Sequence, residues 1–207
     1  MEPDWLTVAT FAGRHHGVIS AADALTLGVP SYRLAHWSRG GRLERAAPGT
    51  YVVVGAAPTW HQRVRVATAL GAAWASHRTA AALRALDGSD RRTIETVTVH
   101  GRRRRRRWQV HESRTLRGVD LATVDGIACT SLVRTLVDLP GVAHPHLAGL
   151  ALDDAIRRDP VVLELVARRH LELPRRGRPG AGGIPGPHAP HGRGLPRRRA
   201  ATRGPAP

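Results

Sequence analysis

The sequence contains no lysine, one cysteine and no long hydrophobic run, and each shortage excludes a class of protein. All 32 basic side chains are arginine, which excludes a lysine-dependent phosphate loop, a Schiff base and the usual lysine of restriction-type nuclease sites. Cys129 stands alone, so it can form neither an internal disulfide nor a thiolate metal cage. Because no apolar run is long enough for a bilayer and the acidic N-terminus lacks a signal-peptide pattern, we expect a cytoplasmic protein.

Positive charge is abundant but unevenly distributed. The formal net charge is +16, and a strongly basic chain suggests a nucleic-acid partner. Residues 102–107 supply six of these charges, however, and residues 174–207 supply eight. The remainder of the chain is almost neutral, so the total charge by itself is weak support for DNA binding.

The first 57 residues have the pattern of three helices followed by a hairpin. Ser20 and Asp23 form a capping-box pattern, and the glycine pair Gly40-Gly41 ends the third helix. The predicted elements are helices over 5–14, 20–28 and 30–39, a short extended link over 17–19, and strands over 42–45 and 50–54. This order is typical of a winged helix-turn-helix domain, which we predict over residues 1–57.

The third predicted helix has an apolar side and a polar side. Leu34 and Trp37 are spaced to face a core formed with Leu25, Leu27 and Tyr51. Side chains that suit a DNA groove lie on the other side and in the hairpin, and the predicted DNA-binding residues are Ser31, Tyr32, Arg33, His36, Arg39, Arg42 and Arg45. The alternatives are a solvated helix face and, for the two hairpin arginines, protection of an edge strand.

The sequence pattern over residues 58–173 predicts a mixed α/β domain. A capping pattern at Thr59 begins a helix whose core positions would be Trp60, Val64, Ala67, Leu70 and Trp74. The other predicted elements are helices over 76–86, 130–138, 147–158 and 161–171 and strands over 93–100, 108–111 and 127–129. In the helix after Thr130 we expect Leu132, Val133, Leu136 and Val137 to be buried. The predicted fold class is therefore α+β.

Two segments are dominated by arginine. Residues 174–207 hold eight proline, eight glycine and eight arginine residues, and we expect this tail to be disordered because it cannot bury enough apolar surface. The other segment supplies candidate phosphate contacts at Arg102, Arg103, Arg104, Arg105, Arg106 and Arg107. A solvated hairpin loop is the alternative for this run.

We find no catalytic or metal-binding pattern in the sequence. The histidines, including His15, His16, His77, His144 and His146, lack paired-ligand spacing, and we expect surface or capping roles for them. Metal-dependent cleavage would need acidic residues, and the candidates are Glu95, Asp125, Asp138, Asp153 and Asp154. We expect simpler roles for them, as charges at helix ends, in turns or facing solvent. We therefore expect no enzymatic activity, no cofactor and no metal.

Several motifs in collinear order resemble a known family. They are HGVI from His16, GRL from Gly41, PGTY from Pro48, SHRTAAAL from Ser76, and the stretch from Ile127 through TSLVRTLVD. Together they resemble actinobacterial AbiEi-type antitoxin-domain proteins of type IV toxin–antitoxin systems. The resemblance implies a winged helix that binds double-stranded DNA at its own promoter and represses its operon. It also implies a second domain tied to antitoxin activity and a nucleotidyltransferase-like toxin as partner.

The chain departs from this family after residue 173. Many of the proteins it resembles continue into a domain similar to very-short-patch-repair endonucleases, where this chain has its Pro/Gly/Arg tail. Our hypothesis is a frameshift or truncation, because GC-rich DNA read out of frame yields such a composition. Two alternatives to the regulator therefore stay open: a DNA-binding remnant of an endonuclease protein, and a toxin-binding module with a vestigial helix-turn-helix.

Overall fold

The computed structural model describes residues 5–69, 73–99 and 108–173 of the protein. Over these residues the predicted α+β fold is confirmed, with helices packed on two separate sheets. The candidate contacts at 102–107 and the tail at 174–207 lie outside the described residues. None of the helices within the described ranges has the length and apolar character needed to span a membrane.

Three helices and a three-stranded sheet make up the N-terminal region. The elements are α1 (Trp5–Arg14), β1 (Val18–Ser20), α2 (Ala21–Thr26), α3 (Ser31–Arg39), β2 (Leu43–Ala47) and β3 (Thr50–Val53). The sheet order is β1-β3-β2, with both pairs antiparallel. The link predicted over 17–19 is thus largely a strand that adds to the hairpin.

Local sequence signals set the ends of the helices in this region. The Ser20 side chain accepts a hydrogen bond from the Asp23 amide, and the Asp23 carboxylate accepts one from the Ser20 amide, so the predicted capping box is present. After α3, Gly41 has a φ of 72°. Glycine adopts this left-handed conformation without the steric cost of a Cβ atom, and the chain can reverse there into β2.

The second region builds a five-stranded sheet with helices against it. Its elements are α4 (Trp60–Thr68), β4 (Ala73–Ala75), α5 (His77–Leu83), β5 (Glu95–Thr98), β6 (Gln109–Glu112), β7 (Leu121–Val124), β8 (Ile127–Thr130), α6 (Leu132–Asp138), α7 (Pro145–Arg158) and α8 (Val161–Glu172). The strand order is β6-β5-β4-β8-β7. The pairs β5–β6 and β4–β8 are parallel, whereas β4–β5 and β7–β8 are antiparallel.

Two core predictions, those for Leu25 and Trp74, are wrong in detail. Leu25 is 76% exposed, and the buried residue of α2 is its neighbour Ala24. The helix that begins after Thr59 ends at Thr68, and Trp74 lies instead in β4, paired with Val97. The apolar residues from Trp60 to Trp74 keep a helical spacing, although they belong to a helix and a strand. Leu70 lies outside the described residues.

The inward face of α6 also differs from the prediction. Leu136 is buried as expected, but Leu132, Val133 and Val137 are only partly buried. Arg134 and Thr135 are buried instead, because each finds polar partners inside. The hydroxyl oxygens of Thr135 and Thr130 lie 2.7 Å apart, at hydrogen-bond distance. The Arg134 Nε donates a hydrogen bond to the Asp138 carboxylate.

The two regions share core contacts within one compact unit that spans Met1–Pro174. Val18 of β1 and Ala47 of β2 form a buried cluster with Val66 of α4. His16 adds a polar contact, since its Nε2 lies 2.8 Å from the backbone oxygen of Asp125 in the β7–β8 turn. The sheet of the N-terminal region therefore packs directly against the second region.

Candidate DNA interface and a buried histidine–glutamate cluster

The inner side of α3 is anchored as the sequence predicts. Leu34 is 1% exposed and Trp37 is 5% exposed, and both belong to the core cluster of the N-terminal region. The Trp37 ring meets the Trp5 ring edge-on, with 5.4 Å between centroids. Two large side chains in a close-packed interior hold the orientation of a nine-residue helix.

The outer side of α3 carries polar and aromatic groups. Ser31, Tyr32, His36 and Arg39 are exposed. The Arg39 Nε donates a 3.4 Å hydrogen bond to the Ala35 oxygen, which is long, so its guanidinium remains available for other contacts. The exposed set combines hydroxyl, imidazole and guanidinium groups, which can hydrogen-bond base edges or phosphates.

Arg33 differs from the other predicted contact residues of α3. Its side chain is only half-exposed, and it has a partner within the protein. Arg33 is therefore a weaker candidate for a base contact than the exposed side chains of α3.

The β2–β3 hairpin stands directly after α3 and carries the remaining predicted contacts. The Arg42 guanidinium lies 5.5 Å from the centroid of the Trp5 ring, which is a cation–π distance. Arg45 is exposed and adjoins a change of register between Arg45 and Ala47, a bulge in β2. Bulges re-aim side chains at strand edges, and the Arg45 side chain is exposed although Arg45 is paired with Tyr51 of β3.

A basic cleft runs from this hairpin to the second region. Its volume is about 740 Å³, and it is lined by residues of the β2–β3 hairpin, of α4 and of the segment before β5, together with Trp108 just before β6. Four arginines and one acid, Glu44, are among the lining residues; the arginines are Arg45, Arg63, Arg91 and Arg92. Positive charge thus continues from the hairpin onto the second region.

An ion pair ties the helix before α3 to the second region. The Arg65 Nη2 donates hydrogen bonds of 3.0 and 2.9 Å to the two carboxylate oxygens of Asp23. The exposed fractions of the two side chains are 11% and 20%. Since Asp23 also caps α2, one carboxylate fixes the start of this helix and its contact with α4.

A second polar constellation lies in the five-stranded sheet. Val97 of β5 is paired with His111 of β6, which places His111 on the same sheet face as Glu95, a diagonal neighbour. His77, the first residue of α5, stacks on His111 with 3.9 Å between ring centroids. One ligating atom from each of His77, Glu95 and His111 lies within 4.8 Å of the other two.

Burial and charge set the protonation of this cluster. Burial and the neighbouring His111 lower the pKa of His77 to about 4, so its imidazole is neutral near pH 7. Burial by itself would raise the pKa of Glu95, but His111 and the hydrogen bonds from Arg78 outweigh that effect and lower the pKa to about 2. The cluster therefore holds a carboxylate beside a neutral imidazole.

The sequence interpretation of Glu95 and His77 as ordinary surface or end-capping groups is wrong. Glu95 is fully buried and His77 is 8% exposed. His111, the third member of the cluster, is not among the histidines that the sequence singles out. The three residues are 16 to 34 positions apart, and only the pairing of β5 with β6 and the docking of α5 bring them together. No local spacing in the sequence links the three residues, and β6, which carries His111, is only partly buried.

The comparison with known families concerns the N-terminal region. Residues 7–54 match a family model described as "Transcriptional regulator, AbiEi antitoxin". The resemblance predicted from the sequence is thereby confirmed for these residues. No curated protein matches the chain.

The AbiEi match covers most of α1 to β3 and so includes α3 and the hairpin. The matching model is described as that of a transcriptional regulator. The match does not extend to the part of the basic cleft that the second region forms, or to the histidine–glutamate cluster. The roles of individual side chains in both places are therefore argued from geometry alone.

Proposed function

We propose that the protein is a DNA-binding transcriptional regulator that inserts α3 into the major groove and sets the β2–β3 hairpin beside it as a wing. The observation that carries this proposal is the two-sided character of α3, with Leu34 and Trp37 in the core and Tyr32, His36 and Arg39 exposed. It occurs within the segment that matches a family of transcriptional regulators. A helix held from behind by packed side chains presents its outer groups in a fixed register, which base recognition requires.

The contacts divide into base-reading and phosphate-binding groups. His36 and Arg39 on α3 are the proposed base-reading residues, since guanidinium and imidazole groups hydrogen-bond the groove edges of bases. Ser31 and Tyr32 lie at the start of the helix, close enough in sequence to share its groove or the adjoining phosphates. Arg42 and Arg45 of the hairpin are the proposed phosphate contacts, which fix the position of α3 without reading sequence.

We further propose that the target is the promoter of the protein's own operon and that the protein acts as an antitoxin. Both proposals depend on the family resemblance, which implies autorepression and a nucleotidyltransferase-like toxin as partner. The regulator description of the matching family supports the DNA-binding part. An adjacent gene for such a toxin, and rescue of its growth defect by co-expression of this chain, are the results the antitoxin proposal expects.

The endonuclease-remnant alternative receives no support from the acids of the second region. Among residues 5–69, 73–99 and 108–173, the group of three or more potential metal ligands is His77, Glu95 and His111, with one carboxylate. Asp154 is instead paired with Arg157 and Arg158, and Asp138 with Arg134. A downstream in-frame endonuclease fragment in the locus would favour the remnant.

A gel-shift assay with the protein's own upstream DNA tests the proposal. We expect a retarded complex that survives an excess of unrelated DNA of matched GC content. Repression of a reporter under the same promoter should accompany it. Equal affinity for both DNAs, with no effect on the reporter, would contradict a regulatory role and favour the toxin-binding module.

A further inference from the structure

We propose that His77, Glu95 and His111 form a binding site for a divalent transition-metal ion of the Zn²⁺ class. Two imidazoles and one carboxylate are the ligand set of many three-ligand zinc sites, in which a fourth position is left to water or to another ligand. The site lies within the second region, outside the segment that matches the regulator family.

The donor atoms are close to the separations that a metal requires. Bonds of about 2.0–2.1 Å in tetrahedral geometry place ligand atoms about 3.4 Å apart. The His111 Nε2 lies 3.6 Å from the Glu95 Oε1. One potential ligand atom from each of the three residues lies within 4.8 Å of the other two.

The hydrogen bonding of the His111 Nε2 gives the most direct indication of a missing ligand. This nitrogen is buried and forms no hydrogen bond with any group in the described part of the chain. Its contact with the Glu95 Oε1, at 3.6 Å, is at ion-pair distance but too long for a hydrogen bond. A buried polar atom without a hydrogen bond is costly, and one in a folded protein suggests a missing ion or water. A metal bound at this nitrogen would satisfy it.

The surroundings of the other two ligands resemble the supporting shell of a metal site. The His77 Nδ1 lies 2.9 Å from the Ser76 hydroxyl oxygen, a contact that orients the ring and leaves its Nε2 for the metal. Arg78 donates three hydrogen bonds to the Glu95 carboxylate, from its amide, Nε and Nη2. Oε1 accepts the two side-chain bonds and Oε2 accepts the amide bond. A carboxylate has about four lone-pair positions, so the one that remains for an ion is on Oε2.

The backbone at His77 is a further sign of a constrained site. Its φ is 49°, in the left-handed region that residues other than glycine seldom adopt. Conformations of this kind cluster at ligand sites, where the surrounding structure holds them in place. A bound ion would join α5 to β5 and β6 through the three side chains.

Zinc titration of the full, untagged chain after chelator dialysis tests this proposal. The variants are His77→Gln and His111→Gln, and His170→Ala is the matched control because His170 is exposed on α8. We expect one zinc equivalent to bind and raise the melting temperature in the parent and the control. Loss of either cluster histidine should weaken that binding at least tenfold.

Ring resonances of the unsubstituted protein provide a measurement that does not depend on the variants folding. Zinc should shift the imidazole signals of His77 and His111 in NMR spectra at one equivalent. Binding of equal strength in all variants, or zinc shifts confined to other histidines, would show adventitious surface binding and overturn the proposal. Absence of any binding by the parent chain would overturn it as well.

Discussion

Arg65 donates two hydrogen bonds to the carboxylate of Asp23, 42 residues earlier in the chain. The pair joins the cap of α2 to α4, and α2 packs directly on the helix that we propose enters DNA. The orientation of α3 is therefore coupled to the second region through a charged contact that is largely shielded from solvent.

Replacing Arg65 by methionine should lower the free energy of unfolding by about 1.5–3 kcal/mol, the range for hydrogen bonds to charged groups. The Asp23 carboxylate would lose a partner that it cannot fully replace with water. Urea denaturation of the purified protein measures the effect. Arg63→Met is the control, because Arg63 is exposed on the same helix. Equal stability of the two variants would show that the ion pair contributes nothing.

Gly17→Ala should destabilise the protein more than Gly41→Ala. Both glycines have positive φ values, 76° and 72°, and alanine in that conformation costs about 1–2 kcal/mol. A Cβ at Gly17 would also lie 2.6 Å from the Ala56 Cβ, whereas one at Gly41 would meet nothing within 4 Å. Melting temperatures of the two variants test the difference, and an equal loss would show that the contact with Ala56 relaxes freely.

Cys129 should be unreactive towards thiol reagents in the folded protein. The residue is fully buried, and burial raises the pKa of its thiol. Since the thiolate is the reactive form, modification by a chromogenic disulfide should require denaturant. Rapid labelling under native conditions would mean that the sheet around β8 opens readily.

The basic cleft should contribute to DNA affinity through phosphate contacts. Each phosphate contact that is lost should reduce the slope of log affinity against log salt by about 0.9. We expect a shallower slope for the double variant Arg63→Ala/Arg92→Ala, since both side chains line the cleft and are exposed. Arg168→Ala, on the exposed side of α8, is the control. Parallel slopes for parent and double variant would confine DNA to α3 and the hairpin.

The N-terminal region could be predicted closely from the sequence because its signals are local. The Ser20–Asp23 capping box, the glycines after α2 and α3, and the spacing of Leu34 and Trp37 each act within a few residues. The order of three helices and a hairpin followed from them, and α1 and α3 have the predicted extents to within one residue.

The second region was less predictable because its structure depends on contacts distant in sequence. The three-residue strand β4 is defined by its pairing with β5 and β8. The local sequence around Trp74 contains no sign of that pairing, and its spacing predicts a helix. β7 was missed because it is defined by its pairing with β8. The cluster of His77, Glu95 and His111 has no local spacing signal, since three separate elements bring it together.

The central claim is that the outer side of α3 reads DNA sequence. Fluorescence anisotropy with upstream DNA and with unrelated DNA of matched composition tests it on the double variant His36→Ala/Arg39→Ala, with Arg168→Ala as control. Loss of a base contact costs about 1–3 kcal/mol, so the double variant should lose at least about tenfold in affinity for upstream DNA and much less for unrelated DNA. An unchanged preference for upstream DNA in the double variant would contradict the claim.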